Sequence, residues 1–101
     1  MKTEPVPEAA GNARYILRLY VTGIEANSMI ARRNLKDICE GFLKGRCDVT
    51  EVDVLDHFES ALKDGIFMSP ALVLVSPEPR VVIVGNLGDT AKVLSALRLK
   101  G

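Results

Sequence analysis

Two apolar runs set the tightest limit on how this chain can fold. Ala71 to Val75 and Arg80 to Val84 are nearly continuous in valine, leucine and isoleucine, and only Ser76-Pro77-Glu78-Pro79 separates them. Runs of this length bounded by turn residues are strands, and their continuity demands cover on both faces of the sheet. The spacing predicts an antiparallel hairpin. Both prolines fall in its loop, where their missing amide protons cost the ladder nothing. The rest of the chain must then supply further strands and at least one helix for each face.

It has the segments to do so. From Arg14 to Val21 the residues alternate, with Tyr15, Leu17, Leu19 and Val21 on one face and Arg18 on the other beside Ile16 and Tyr20, which reads as a strand. Thr22 and Gly23 break it. Asn27 or Ser28 then caps a helix whose apolar positions, Met29, Ile30, Leu35, Ile38, Cys39, Phe42 and Leu43, form one stripe, and Gly45 supplies a left-handed end after Lys44. A second strand runs from about Cys47 to Val54. Val49 has the opposite parity from Val52 and Val54, so a bulge or a late start is expected there. Asp56 with Glu59 makes a capping box for a short helix through Lys63, ended by Gly65. Asp89 or Gly88 opens a last helix through about Leu99, with Val93, Leu94 and Leu97 inward and Lys92 and Arg98 outward. Residues 1–13 hold Pro5, Pro7, Gly11 and two glutamates and little apolar surface, so a flexible N-terminal tail is expected, with 14–101 as one domain.

The predicted order is strand, helix, strand, helix, strand, strand, helix, an α/β chain. A right-handed crossover makes the first two strands parallel, and the tight loop makes the last two antiparallel. The economical packing is a four-stranded mixed sheet in the order second, first, third, fourth, with the first and last helices on one face and the short one opposite. This resembles the minimal thioredoxin-like arrangement. That resemblance implies a structural cis-proline just before the third strand, at Ser69-Pro70.

Several chemistries lack their residues. Redox catalysis on such a scaffold needs a low-pKa cysteine at the start of the first helix and a second one a turn away. That stretch reads Ile24-Glu25-Ala26-Asn27-Ser28-Met29, while Cys39 and Cys47 lie late in the helix and beyond it, so the chain is read as non-enzymatic. Both cysteines are expected to be reduced and structural in a cytosolic protein, although a bridge between them stays open. His57, the single histidine, has no partner at metal-ligand spacing. Asp53 closes a strand and Asp56 caps a helix, so neither is needed as an acid or base. Gly85-Asn86-Leu87-Gly88 lacks the lysine and length of a phosphate-binding loop. Thirteen basic residues balance thirteen acidic ones, leaving no net positive field for nucleic acid, and no segment has the pattern of a signal peptide or membrane span. The expectation is a cytoplasmic protein without cofactor, metal, nucleic acid or membrane partner.

The run LYVTGIEANSMIARRNL, the later DVL, and SPALVLVSPEPRVVIVGNL resemble the KaiB family of bacterial circadian-clock proteins over roughly residues 14–97. The chain is also similar to the KaiB-like sensor domain of a clock histidine kinase. The resemblance implies a protein-binding module that docks on a KaiC-like ATPase or a signalling kinase, with an exposed sheet edge and the first helix expected as the docking surface. It also implies an alternative ground state, in which the C-terminal half is rearranged and the chains form tetramers. Three places depart from the family. Leu74 stands where a lysine is common, Pro77-Glu78-Pro79 replaces a triple proline, and Val81-Val82 replaces paired arginines; the usual acidic C-terminal tail is not in this sequence. The chain therefore reads as a divergent KaiB-like paralogue. Because Val81 to Val84 favours strand and Thr90 to Leu99 favours helix, the thioredoxin-like state is expected to dominate, as a monomer. A rival reading comes from SPALVLV, which also resembles a glutathione-transferase stretch, with Ser28 as a thiol activator. The Glu-Ser pair that grips glutathione is, however, replaced by Asn86 and Leu87.

Overall fold

The valine-rich runs do form the expected hairpin: β3 (Ala71–Ser76) and β4 (Val81–Val84) are antiparallel, with Ala71 opposite Val84 and Leu74 opposite Val81. The computed structural model describes residues 14–99, and the expected N-terminal tail over 1–13 lies outside the described residues. The remaining elements are β1 (Tyr15–Val21), α1 (Ala26–Phe42), β2 (Cys47–Asp53), α2 (Phe58–Lys63) and α3 (Thr90–Ala96). The sheet order is β2-β1-β3-β4. β1 runs parallel to β2, with Tyr15 opposite Cys47 and Val21 opposite Asp53, and antiparallel to β3.

Cover on both faces follows the demand of the apolar strands. On one face Leu17, Leu19, Leu72, Leu74 and Ile83 pack against Ala31, Leu35 and Ile38 of α1 and Val93 and Leu94 of α3. On the other, Tyr20, Ala71 and Val73 pack against Ala61 of α2 and Ile66. The expected layout of strands and helices is thus the observed one.

Local details differ in five places. The carboxylate of Glu25, not Asn27 or Ser28, caps α1 by accepting from the Ser28 amide at 3.1 Å. The buried line of α1 runs through Ser28, Ala31, Leu35, Ile38 and Cys39, so Met29, Ile30 and Phe42 lie exposed outside it. The small side chains Ser28 and Ala31 take the inward positions of the first turns. α2 starts at Phe58 after His57, with no side-chain cap, so Asp56 and Glu59 form no capping box. β2 pairs in unbroken register, and the irregularity lies instead between Ile16 and Leu17 where β1 meets β3. Val49 needs no bulge because β2 is a largely exposed edge strand: Val49 stays 44% exposed on the α1 side, while Val52 and Val54 pack on the opposite face with Tyr20 and Ala61.

Gly45 and Gly65 end α1 and α2 with φ of 81° and 75°, and Asp89 caps α3 by accepting from the Lys92 amide at 3.1 Å. α3 stops at Ala96, three residues short of the expected end, where Arg98 turns to φ 60° and the Leu99 amide reaches back to the Leu94 carbonyl at 2.8 Å. The buried Tyr15 hydroxyl donates to the Leu97 carbonyl at 3.2 Å and ties that end to β1.

A polar cluster fastens α2 to the sheet. The hydroxyl of fully buried Tyr20 donates to Asp64 Oδ2 at 2.6 Å, Arg18 pairs with the same oxygen, and Arg80 approaches the other at 3.5 Å. Burial alone would raise the Asp64 carboxyl, but the hydrogen bonds from Tyr20 and Arg18 outweigh it and hold the group below its ordinary value. A carboxyl depressed in the folded state contributes stability that is complete above the ordinary range near pH 4 and is lost as pH falls through its lower folded value. Asp64→Asn is therefore expected to cost about 1–3 kcal/mol at pH 7 and to flatten acid unfolding below about pH 4, measured by urea melts across pH.

Candidate functional site

The start of α1 is where a thioredoxin-like scaffold would carry a nucleophile, and here Ser28, Asp53 and Arg32 are committed to structure. Ser28 is fully buried, and its hydroxyl accepts from the Thr22 amide at 2.9 Å. Asp53 accepts from the Gly23 amide at 3.1 Å and from the Leu55 amide at 2.9 Å, locking the β1–α1 turn to the turn after β2. Arg32 donates to the Gly23 carbonyl at 2.9 Å and pairs with Glu51. The Ser28 O–H is turned toward Glu25 Oε1 at 3.5 Å and no part of it faces solvent, so it has no proton to offer a bound thiolate and its assigned part in the glutathione reading fails. Asn86 is equally occupied: its carbonyl accepts from Asn34 at 2.9 Å and its side chain from the Gly88 amide at 2.9 Å. The glycine-bracketed turn is thereby closed on itself.

The two thiols sit elsewhere, as expected from their positions. Cys39 is buried and Cys47 half-buried, and they face each other across a groove between α1 and β2. Burial, reinforced by its hydrogen bond to Cys47, pushes the Cys39 thiol far above its ordinary value. Burial also raises Cys47, against the opposing pull of Cys39, Arg14 and Arg46. Neither is a ready thiolate at neutral pH. His57 is exposed before α2, and among the described residues no three histidine, cysteine, aspartate or glutamate side chains gather as metal ligands. No helix among these residues is long and apolar enough to cross a membrane.

What the topology does assemble is an apolar end of the sheet. The parallel strands β1 and β2 finish there and the antiparallel β3 starts there, so the loops around Ile24, Leu55 and Phe67 come to one end of the molecule. Ile24 is 85% exposed, Phe67 80% and Leu55 71%, and Phe58 and Met68 are also largely in solvent. Val54, Phe58, Leu62, Phe67 and Met68 border a cleft of about 220 Å³, closed at its base by Ala61, Ile66 and Ser69. The Ser69 hydroxyl oxygen is buried there without a hydrogen-bond partner, and the Ser69-Pro70 peptide beside it is cis, as are Ser76-Pro77 and Glu78-Pro79. Side chains of this size are rarely left in water together on a small domain without a partner to cover them.

The KaiB domain family matches residues 18–99. The chain belongs to the KaiB family. It is 41% identical to the circadian clock oscillator protein KaiB of Prochlorococcus marinus (strain MIT 9515) over 90 residues, 89% of this chain and 83% of that one. It is also 41% identical to the protein of the same name from Picosynechococcus sp., covering 84% of this chain and 82% of that one. Among solved structures, the N-terminal domain of Synechococcus elongatus SasA superposes with a TM-score of 0.73 at 19% identity, over 97% of this chain and 91% of that domain. The germline-specific thioredoxin Deadhead of Drosophila superposes at 0.67 with 14% identity, over 90% of this chain and 85% of that one. Both likenesses establish a thioredoxin-like fold.

For this KaiB-family chain, reasoning from sequence placed the docking surface on a sheet edge and the first helix, without naming residues. The structure leaves β2 as an open edge and Met29, Ile30 and Arg33 exposed on α1. It adds Leu55, Phe58, Phe67 and Met68, which that reasoning missed. The available signal was large apolar residues in segments otherwise read as turns.

Proposed function

We propose that this chain is a non-catalytic adaptor of the KaiB type, docking on a KaiC-like ATPase or a signalling kinase in circadian or related regulation in the cytoplasm. The observation that carries this reading is the apolar end around Phe67 and Met68, set on a redoxin-shaped scaffold whose opening helix has no thiol. Exposed aromatic and methionine side chains around a cleft are the usual anchors of a protein interface. Family membership and the clock name of the relatives support the class of partner. The compatible strand and helix preferences of β4 and α3 support the thioredoxin-like monomer as the binding form.

The direct test is titration of the purified chain against a purified KaiC-type ATPase and, separately, a sensor kinase of the same host. Saturable binding to either is expected. Absence of binding to both, with the chain folded and monomeric by light scattering, overturns the reading. The non-catalytic half has its own check: the protein is expected to reduce insulin disulfides no faster than buffer containing dithiothreitol alone. A rate abolished by replacing Cys39 or Cys47 would show it wrong.

A further inference from the structure

Cys39 and Cys47 have no part in the surface just described, yet the fold brings them together with some care. Only residues 40–46 separate them, and within that stretch the chain must leave α1, reverse, and enter β2. The reversal is built on Cys39 itself, whose carbonyl accepts from both the Leu43 and Gly45 amides at 3.3 Å. Lys44 and Gly45 take left-handed φ of 50° and 81° to complete it. The result places Cys39 and Cys47 side by side in the lining of one groove, close enough for each to perturb the other's thiol. Both line one open groove of about 400 Å³, with Leu19, Leu35 and Val49 as apolar floor and Lys36, Glu40 and Glu51 among its polar wall residues.

The two sulfurs differ in access. Cys39 is 9% exposed and faces the core, while Cys47 is half-buried at the first residue of an edge strand, where Arg14 and Arg46 partly offset the burial that raises its thiol. A more accessible sulfur next to a buried one is the arrangement in which the first is oxidised and the second resolves it.

We propose that Cys39 and Cys47 are a redox-modification site, closing to a reversible intramolecular disulfide when the protein meets a peroxide. The small fraction of Cys47 present as thiolate attacks one peroxide oxygen; the O–O bond breaks, and the departing hydroxide takes up the proton given up by Cys47, leaving as water and Cys47 as a sulfenic acid. The Cys39 sulfur then attacks the Cys47 sulfur. The S–O bond breaks, its hydroxyl leaves as a second water with the Cys39 proton, and the S–S bond forms. Two thiols lose two electrons in total and one peroxide gains them. The bond staples the last turn of α1 to the first residue of β2, and dithiothreitol reopens it.

The experiment uses the whole chain, first reduced and then exposed to hydrogen peroxide, denatured, treated with a maleimide and weighed intact. Expected are a mass lower by two hydrogens, no maleimide adduct, a proteolytic peptide linking Cys39 to Cys47, and recovery of two adducts after dithiothreitol. Cys47→Ser, checked for fold by circular dichroism, is expected to leave Cys39 alkylatable after the same exposure. Two adducts persisting on the wild-type chain under conditions that oxidise a control dithiol would overturn the proposal. So would added oxygen in place of the linkage, or disulfides between chains. The wild-type measurement decides the matter even if the variant fails to fold.

Discussion

Leu74→Lys is expected to empty the thioredoxin-like state at neutral pH. Leu74 is fully buried in β3, opposite Leu17 on one side and Val81 on the other, in the core shared by α1 and α3. No aspartate or glutamate is buried among the described residues, so an ammonium at position 74 would find no carboxylate inside. Full burial depresses a lysine by about 3–5 pKa units, on the order of 4–7 kcal/mol at pH 7, before the lost leucine packing is counted. The whole stability of a domain this size is about 5–15 kcal/mol. Leu74→Ala calibrates the packing part at about 2–5 kcal/mol. The sign with pH is fixed: a lysine depressed in the folded state leaves the unfolded chain holding more protons, so the variant should gain stability as pH rises toward the ordinary lysine value near 10.4. Urea melts from pH 7 to 10 measure it. A Leu74→Lys chain as stable as its parent at pH 7 would mean that Leu74 is not inside in solution, as a rearranged C-terminal half would require. The family resemblance places a lysine commonly at this position, so the substitution also asks whether its loss helps hold the chain in one state.

Phe67→Asp combined with Met68→Asp is expected to weaken binding to the proposed ATPase or kinase partner at least 100-fold, about 3 kcal/mol, with little change in fold. The two side chains stand largely in water in the free protein, so their removal should move the unfolding free energy by no more than about 0.5 kcal/mol. The effect belongs to the complex, where a carboxylate would be desolvated against whatever covers the cleft. Calorimetric titration beside a thermal melt separates the two quantities. Unchanged affinity in the double variant would remove the apolar end from the interface and leave the β2 edge and the exposed face of α1 as the remaining surfaces.

Where an element depended on its own neighbours in sequence, it was legible. The proline-marked hairpin, the glycines that end α1 and α2, and Asp89 at the start of α3 are all local devices, and the two-sided apolar strands implied helices on both faces. Ser28 was not legible in this sense, because its burial depends on the Thr22 amide and on how closely α1 meets the sheet. Met29 and Ile30 were drawn into the apparent stripe by hydrophobicity alone, although the inward positions went to smaller residues. Val49 suggested a bulge only because it was assumed to be buried with Val52 and Val54, whereas on this edge strand it stays partly exposed on the other face.

The candidate site was less legible than the fold. Ile66, Phe67 and Met68 are consecutive and all apolar, yet Ile66 is buried and the next two are exposed. No periodicity separates them, since the segment is neither helix nor strand and its side chains are oriented by where the loop lands. Sequence alone determined the number, type and pairing of the elements, because hydrophobic period and turn chemistry act over a few residues. Tertiary structure alone decided which apolar residues meet at one end of the sheet and that two cysteines face each other, because those contacts depend on the chain's return path through space.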